Sequence, residues 1–345
     1  MKVVAIGGGT GLSTLLRGLK PHVPQPAGEA ALHPTISRLT AIVTVTDEGG
    51  SSGRLRRDFG ILPPGDIRNC LVALAEDEQL LTRLFSYRFA DGRGLAGHSF
   101  GNLFLAALTH LTRDFAKAVR VSSEVLAVRG EIFPSTLSDI RLKARLVNGR
   151  TLSGEARINQ TPERIRRLEL VPRGSRALPE ALAAIDAADL ITMGPGSLYT
   201  SLLPNLLVRG IVPHIAQSRA LKAYIANLMT QPGETRDYAA SDHLSAIWEH
   251  SGRRRLFDYV VLNNQALSPG LLRRYAAEGA APVAADRDRI RELGVQPVMA
   301  PLLGKDRVAR HDPPRLAKLL LRLAQEHGLR TDKRRNQRRR MTLRA

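Results

Sequence analysis

Lys2–Leu19 reads K-V-V-A-I-G-G-G-T-G-L-S-T-L-L-R-G-L, and its reading decides the fold. Val3–Ile6 is an apolar run that predicts a buried strand. Gly7–Gly11 predicts a turn, and Ser13–Leu19 the start of a helix. Such a glycine turn exposes backbone N–H groups at a helix N-terminus, where the dipole favours an anion. The motif is not the dinucleotide fingerprint: counting from Gly7, Leu12 stands where the third glycine belongs. No G-K-[ST] follows, so it is not a P-loop either. Gly8, Gly9, Thr10, Gly11 and Leu12 are candidate phosphate-binding residues, with a ligand-free tight turn as the alternative.

Outward from this unit, strands and helices alternate. Residues 21–37 carry four prolines and predict an irregular loop. Leu39–Thr46 predicts the next strand, and 66–90 and 99–120 have helical apolar spacing. From about 124 to 171 the pattern becomes β-rich: Glu124–Val128, Arg141–Val147, Thr151–Ile158 and Arg167–Val171 surround an Asn148-Gly149 turn signal. Alternation returns with a helix, a strand at Asp189–Met193, a Gly-Pro-Gly turn, a further helix and a β-type run at Ile211–Ile215. Phe257–Asn263 predicts another strand, and 313–328 the last amphipathic helix. The pattern predicts an α/β, Rossmann-like, doubly wound and mainly parallel sheet with a small β-rich insert. Residues 1–329 form a single large domain in this reading, and ligands bind at the carboxyl ends of the strands.

The loop at 44–69, T-V-T-D-E-G-G-S-S-G-R-L-R-R-D-F-G-I-L-P-P-G-D-I-R-N, combines acids, glycines, serines and arginines. Asp47 and Glu48 end a strand, where carboxylates accept sugar hydroxyls or hold a metal. Gly49, Gly50 and Gly53 allow close approach, Ser51 and Ser52 can donate to phosphate, and Arg54, Arg56 and Arg57 can pair with it. Asp66 reads as a helix cap or a site residue. In G-H-S-F-G-N, Ser99 reads as a cap, while His98 and Asn102 are candidate ligand contacts. M-G-P-G-S-L-Y-T-S makes a second anion cradle from Gly194, Gly196 and Ser197. N-L-M-T-Q-P-G-E-T adds Asn227 and Thr230, with a helix cap and loop as the plainer reading. There is no H-E-x-x-H and no cysteine pair, which speaks against a thiolate zinc site.

Composition sets outer bounds. The 345 residues suffice for a substantial core. Cys70, the only cysteine, excludes an intramolecular disulfide and sits in an apolar run as an inert buried thiol. No apolar run approaches the ~20 residues of a membrane span, and the start lacks a signal-peptide pattern; the expectation is a cytoplasmic protein. The net charge is +19. Eight lysines among 51 basic residues, with abundant alanine, follow a GC-rich coding bias, so the charge says little about function. Part of it is the stretch 330–345, with eight basic residues and one acid, expected to be a disordered tail that solubilises or contacts polyanions.

Together G-G-G-T-G-L-S, D-E-G-G-S-S-G-R-L-R, P-P-G-D-I-R-N-C-L, H-S-F-G-N-L, G-P-G-S-L-Y-T-S-L-L-P-N-L-L-V, N-L-M-T-Q-P-G-E-T and A-S-D-H-L, in this order over roughly residues 1–312, resemble the YvcK/CofD-like family, YvcK branch, the gluconeogenesis factors. The resemblance implies a Rossmann-like core, binding of UDP-N-acetylglucosamine or UDP-glucose, and a role in cell shape and envelope synthesis under gluconeogenic growth. The CofD relatives are 2-phospho-L-lactate transferases that use magnesium. Family ligand positions fall on Thr10, Asn227, Tyr275 and Arg310. Three features depart from or lie outside the family pattern: Asp47-Glu48 where the family usually has Asp-Asp, the 21–37 insertion, and the arginine-rich end.

Three functions compete. A nucleotide-sugar-binding regulator needs only the cradles and no cofactor. A transferase at a nucleotide diphosphate needs Asp47 or Asp66 to position a substrate hydroxyl or a magnesium ion. A nucleic-acid binder lacks interleaved aromatics or a reading motif. The first is the expectation, as a homodimer on general frequency, with no metal assigned.

Overall fold

The computed structural model describes the backbone of residues 1–24 and 35–342, with side chains through residue 329, so most of the proline-rich insertion lies outside the described residues. The chain opens with β1 (Lys2–Gly7) and α1 (Gly9–Leu19), then β2 (Arg38–Val43), α2 (Gly50–Phe59), α3 (Gly65–Leu74), α4 (Glu78–Ser86), α5 (Phe100–Thr112), α6 (Phe115–Val125) and β3 (Glu131–Pro134). A small layer follows: β4 (Arg141–Leu146), β5 (Thr151–Ser153), α7 (Glu155–Asn159) and β6 (Ile165–Val171). Then come α8 (Pro179–Asp186), β7 (Leu190–Met193), a π-type turn at Leu198–Leu202, α9 (Leu203–Leu207), α10 (Ile211–Gln217) and β8 (Leu221–Ile225). The last elements are α11 (Ala240–His250), β9 (Tyr259–Asn263), α12 (Pro269–Ala277), α13 (Arg287–Glu292), β10 (Gln296–Ala300) and α14 (Pro313–Thr342).

The main sheet has the order β10-β9-β8-β7-β1-β2-β3, and every pairing in it is parallel. The expected α/β Rossmann-like fold is therefore the one observed. Strands β1, β2 and β7 are buried along nearly their whole length, as a sheet covered by helices on both faces requires. From β1 the chain winds outward through β2 to β3, and later returns beside β1 to wind the other way through β7 to β10. The crevice between β1 and β7 is thus a topological switch point, where open α/β sheets bind ligands.

The small layer is an antiparallel sheet, β5-β4-β6. Strand β4 alternates strictly between exposed and buried residues, one face solvated and one packed. Leu142, Ala144, Leu146, Ile165 and Leu168 join the same core as the main sheet. Nε2 of His250 accepts from the N–H of Leu168 at 2.9 Å, and Tyr199 Oη donates to the carbonyl of Ile165 at 3.3 Å, so polar contacts also fix this layer.

Several expectations are corrected. Ile211–Ile215 is helical: Ile211, Val212 and Ile215 are buried at a spacing that suits a helix face, and the strand comes later, at Leu221–Ile225. Glu124–Val128 is not a strand, since α6 runs to Val125, itself exposed. Thr151–Ile158 turns from strand to helix after Gly154, whose φ of 95° suits glycine. The last helix, α14, runs through the arginine-rich stretch to Thr342; Arg, Lys and Gln are good helix formers, and no Gly or Pro interrupts it after Gly328. Among the described residues no helix is long and apolar enough to cross a membrane.

Candidate functional site

A cleft of about 270 Å³ opens at the switch point. Its floor is the meeting of two glycine turns. A Cβ on Gly11 would lie 2.2 Å from the carbonyl oxygen of Pro195, so only glycine lets the start of α1 rest on the Gly194–Ser197 turn. Gly9 has φ +62, again a glycine conformation. The N-cap residue Gly8 has no side chain to cap α1; the Gly9 N–H bonds Asp66, and the N–H groups that follow are the ones left for a ligand.

The second cradle is braced by a side chain. Asn227 Oδ1 accepts from the N–H of Gly196 at 3.0 Å, while Nδ2 donates to the Gly196 carbonyl at 2.9 Å. Both backbone polar groups of Gly196, one from each of its two peptide units, are thereby fixed, and Gly196 cannot turn without breaking two hydrogen bonds. Gln231 Nε2 donates to Ser197 Oγ at 2.8 Å.

The far wall comes from loops beyond β8, β9 and β10. Thr230 lines it, with its hydroxyl accepting the N–H of Ala281 at 2.9 Å. Tyr275 Oη accepts from the N–H of Ala309 at 3.0 Å and so holds the loop that presents exposed Arg310. His311 lines the cleft beside it and is buried.

Ten of the sequence-derived candidates therefore line one cleft: Gly8, Gly9, Thr10 and Gly11 on one turn, Gly196 and Ser197 on the other, and Asn227, Thr230, Tyr275 and Arg310 on the wall. Leu12 does not; its side chain is wholly buried in the core. Gly194 lies behind the turn, where a Cβ would meet the Ile225 carbonyl oxygen at 2.7 Å. Sequence reasoning did not single out Gln231, which stands inside N-L-M-T-Q-P-G-E-T, or His311, which follows Arg310.

The acidic loop forms a second cluster behind the floor. Asp47 Oδ1 accepts from the N–H of Gly49 at 2.7 Å, and Oδ2 lies 1.9 Å from where a Cβ on Gly65 would stand. Ser51 Oγ shares a hydrogen bond with His98 Nδ1 at 3.1 Å, and Asn102 Nδ2 donates to Ser52 Oγ at 3.2 Å. Arg68 donates to Asn102 Oδ1 at 3.0 Å and to Ser99 Oγ at 2.8 Å. These side chains join α2, α3 and α5, and Ser52, which accepts from Asn102, keeps its own hydroxyl hydrogen to donate. Ser99 does cap α5, accepting from the N–H of Asn102.

Of the three loop arginines, Arg57 is exposed while Arg54 and Arg56 are engaged within the fold. Arg56 is buried, donates to the Ile140 carbonyl at 2.7 Å and pairs with Asp139, while Arg54 donates to the Ala96 carbonyl at 2.9 Å. Asp66 does not cap α3. It lies within the first turn of that helix and accepts from the backbone of Gly9 at the start of α1, linking the acidic cluster to the first glycine turn. Burial, then the Asp47 charge, push its carboxyl up to about 7. Glu155 is pushed up to about 8 by burial and then by Asp47. Among the described residues no three of His, Cys, Asp and Glu converge as a metal site requires. Asp47 and Asp66 are the carboxylates that would hold a magnesium ion, whose charge would favour their ionised forms, and no chemical step is assigned through that ion.

Comparison with known proteins follows this geometry. The family model described as 2-phospho-L-lactate transferase CofD matches residues 3–303. The chain is 52% identical over 323 residues to a putative gluconeogenesis factor of Nostoc sp., covering 93% of this chain and 68% of that protein. It is 45% identical over 326 residues to the gluconeogenesis factor of Bacillus subtilis, covering 94% and 98%. The crystal structure of a UPF0052-family protein from Bacillus halodurans superposes with a TM-score of 0.86 at 45% identity, covering 92% of this chain and 98% of that one.

Proposed function

The chain belongs to the CofD/YvcK family, and from that premise we propose that it is a nucleotide-sugar-binding regulator of the gluconeogenesis-factor type. Its ligand in this reading is UDP-N-acetylglucosamine or UDP-glucose, and its role lies in cell shape and envelope synthesis during growth on gluconeogenic carbon. One observation carries the binding part: two backbone cradles abut at the switch point, Gly11 against Pro195, with Asn227 bracing the second. The Gly194 and Gly196 N–H groups are already spent on Ile6 and Asn227, so the first turn and Ser197 of the second are what would meet the two phosphates of a diphosphate. The wall holding Tyr275 and Arg310 then faces the nucleoside or sugar. Calorimetry with UDP-N-acetylglucosamine tests this; binding in the micromolar range is expected, and no heat at millimolar ligand overturns it.

Asp66 favours a second reading. Its carboxyl, pushed up to about 7 beside Asp47, is tuned as a general base at neutral pH needs to be. A transferase would let an acceptor hydroxyl attack the diphosphate phosphorus, with the proton passing to Asp66 and a nucleoside monophosphate leaving. Release of monophosphate from an activated nucleoside diphosphate, lost in Asp66→Asn, supports that chemistry; none across a panel of donors and acceptors excludes it.

A further inference from the structure

An open depression of about 530 Å³ lies outside the cleft and shares no lining residue with it. It brings together Arg54 and Arg57 of α2 and Arg88 from the segment after α4, with Gly50, Gly53 and Gly97 between them. Among the described residues these three arginines make no ion pair. Asp58 and Asp91, the acids nearest to them in sequence, do not line the depression. Glu48 does, but its carboxylate is engaged on the side of the small layer. Its Oε2 accepts from the N–H of Glu155 at 3.0 Å, and its Oε1 stands 4.0 Å from Arg56.

Arg54 and Arg88 are positioned by backbone carbonyls, which orient a guanidinium without neutralising its charge. Arg54 donates from Nη1 to the Ala96 carbonyl at 2.9 Å and from Nε to the Gly50 carbonyl at 3.3 Å. Arg88 donates from Nη1 to the next carbonyl, that of Gly97, at 2.6 Å. Gly97 has φ +79, and a Cβ there would lie 2.9 Å from Arg54 Nη2, so glycine at this point makes room for the guanidinium. The positive field is felt by a neighbour. Buried His98 has its pKa lowered by burial and then by Arg54; Asp58 opposes this and Arg88 adds to it.

We propose that this depression is a second anion site, in which Arg54, Arg57 and Arg88 hold a phosphate dianion, free or as the monoester of a phosphorylated small molecule. Three guanidinium groups offer their donors to the three terminal oxygens of a phosphate, and its two charges offset the repulsion among them. A carboxylate, with one charge and two oxygens, matches the set less well. The site is independent of the nucleotide-binding reading: the cleft presents glycine turns to its ligand, the depression only side-chain cations.

The test is calorimetry with inorganic phosphate, glycerol 3-phosphate and acetate at fixed ionic strength, on the unmodified protein, Arg88→Gln, Arg57→Gln and Asn227→Ala. Both phosphates should bind the unmodified protein, and acetate roughly tenfold more weakly. Tighter binding of glycerol 3-phosphate than of inorganic phosphate identifies a monoester site, and the reverse order a site for the free ion. Arg88→Gln should weaken phosphate about tenfold, Arg88→Lys should recover part of that, and Asn227→Ala, which alters the cleft alone, should leave it unchanged. Arg57→Gln, at a side chain with no bond to the rest of the fold, should also weaken phosphate and decides the matter if Arg88→Gln does not fold. No phosphate binding at about 10 mM, or acetate binding equally well, overturns the inference. Phosphate binding lost in Asn227→Ala but kept in both arginine variants also overturns it, and leaves the nucleotide-binding reading intact.

Discussion

The backbone N–H of Glu48 donates to Oε2 of Glu155 at 2.8 Å, and the backbone N–H of Glu155 donates to Oε2 of Glu48 at 3.0 Å. This reciprocal pair ties the acidic loop to the first residue of α7 in the small layer. It also explains the residue that departs from the family's Asp-Asp pair: the longer side chain reaches away from the cleft, to a helix start that needs an acceptor. The carboxylate is further accommodated by Gly154, where a Cβ would lie 2.5 Å from Glu48 Oε2.

Glu48→Ala removes the acceptor at the start of α7. A loss of about 1 kcal/mol in urea unfolding is expected, the usual cost of a lost helix-start acceptor. Limited proteolysis should cut between residues 141 and 171 sooner than in the unmodified protein. Unchanged stability and unchanged cleavage would show that the reciprocal pair holds nothing.

Glu155→Gln tests the charge burial. A folded pKa of about 8, above the usual 4.5, means the neutral form belongs to the fold. The stability so contributed is fully present below the unfolded pKa and is lost as pH rises through about 8. Asp66, raised to about 7, acts in the same sense. The amide variant should match the unmodified protein at pH 5 and exceed it by roughly 1–3 kcal/mol at pH 9. Melting curves across pH check it, and parallel curves for the two proteins would refute it.

The course of the chain is legible where burial is periodic, and the misreadings have physical causes. Val3–Ile6 followed by glycines could hardly be anything but a central strand and turn. Leu221–Ile225, L-K-A-Y-I, is equally central, yet Lys and Ala hide it, and the β-branched run upstream at Ile211–Ile215 drew the assignment. Gln296–Ala300 contains Pro297 and is tolerable as a strand because it sits at the sheet edge. In the candidate site, the glycines and Asn227 were readable as motifs. The partition of the acidic loop was not, because Ser51, Ser52 and Asn102 meet only through the packing of α2 on α5. His311 carried no local signal: its imidazole is fixed by the carbonyl of Ala226, far along the chain.

Asn227→Ala should leave the fold intact and loosen the Gly196 peptide by two hydrogen bonds. Nucleotide affinity is expected to fall about tenfold in calorimetry. Undiminished affinity would show that the second cradle is rigid without its brace.

Gly11→Ala forces a methyl group against the Pro195 carbonyl. A backbone atom cannot move aside as a flexible side chain can, so destabilisation of roughly 2 kcal/mol or more is expected, together with loss of nucleotide binding. Denaturant unfolding beside a binding isotherm measures both.

The contact between Gly11 and Pro195 also bears on how the protein comes into being. The first phosphate turn leaves the ribosome early, but its floor mate belongs to the second winding of the sheet, and Asn227 follows later still. An emerging chain can fold β1 to β3 and still offer no cleft. In the proposed reading, ligand capture would therefore require synthesis through the wall loops, and two separately expressed halves divided between β6 and β7 would lack the cleft apart and regain it only on reassociation.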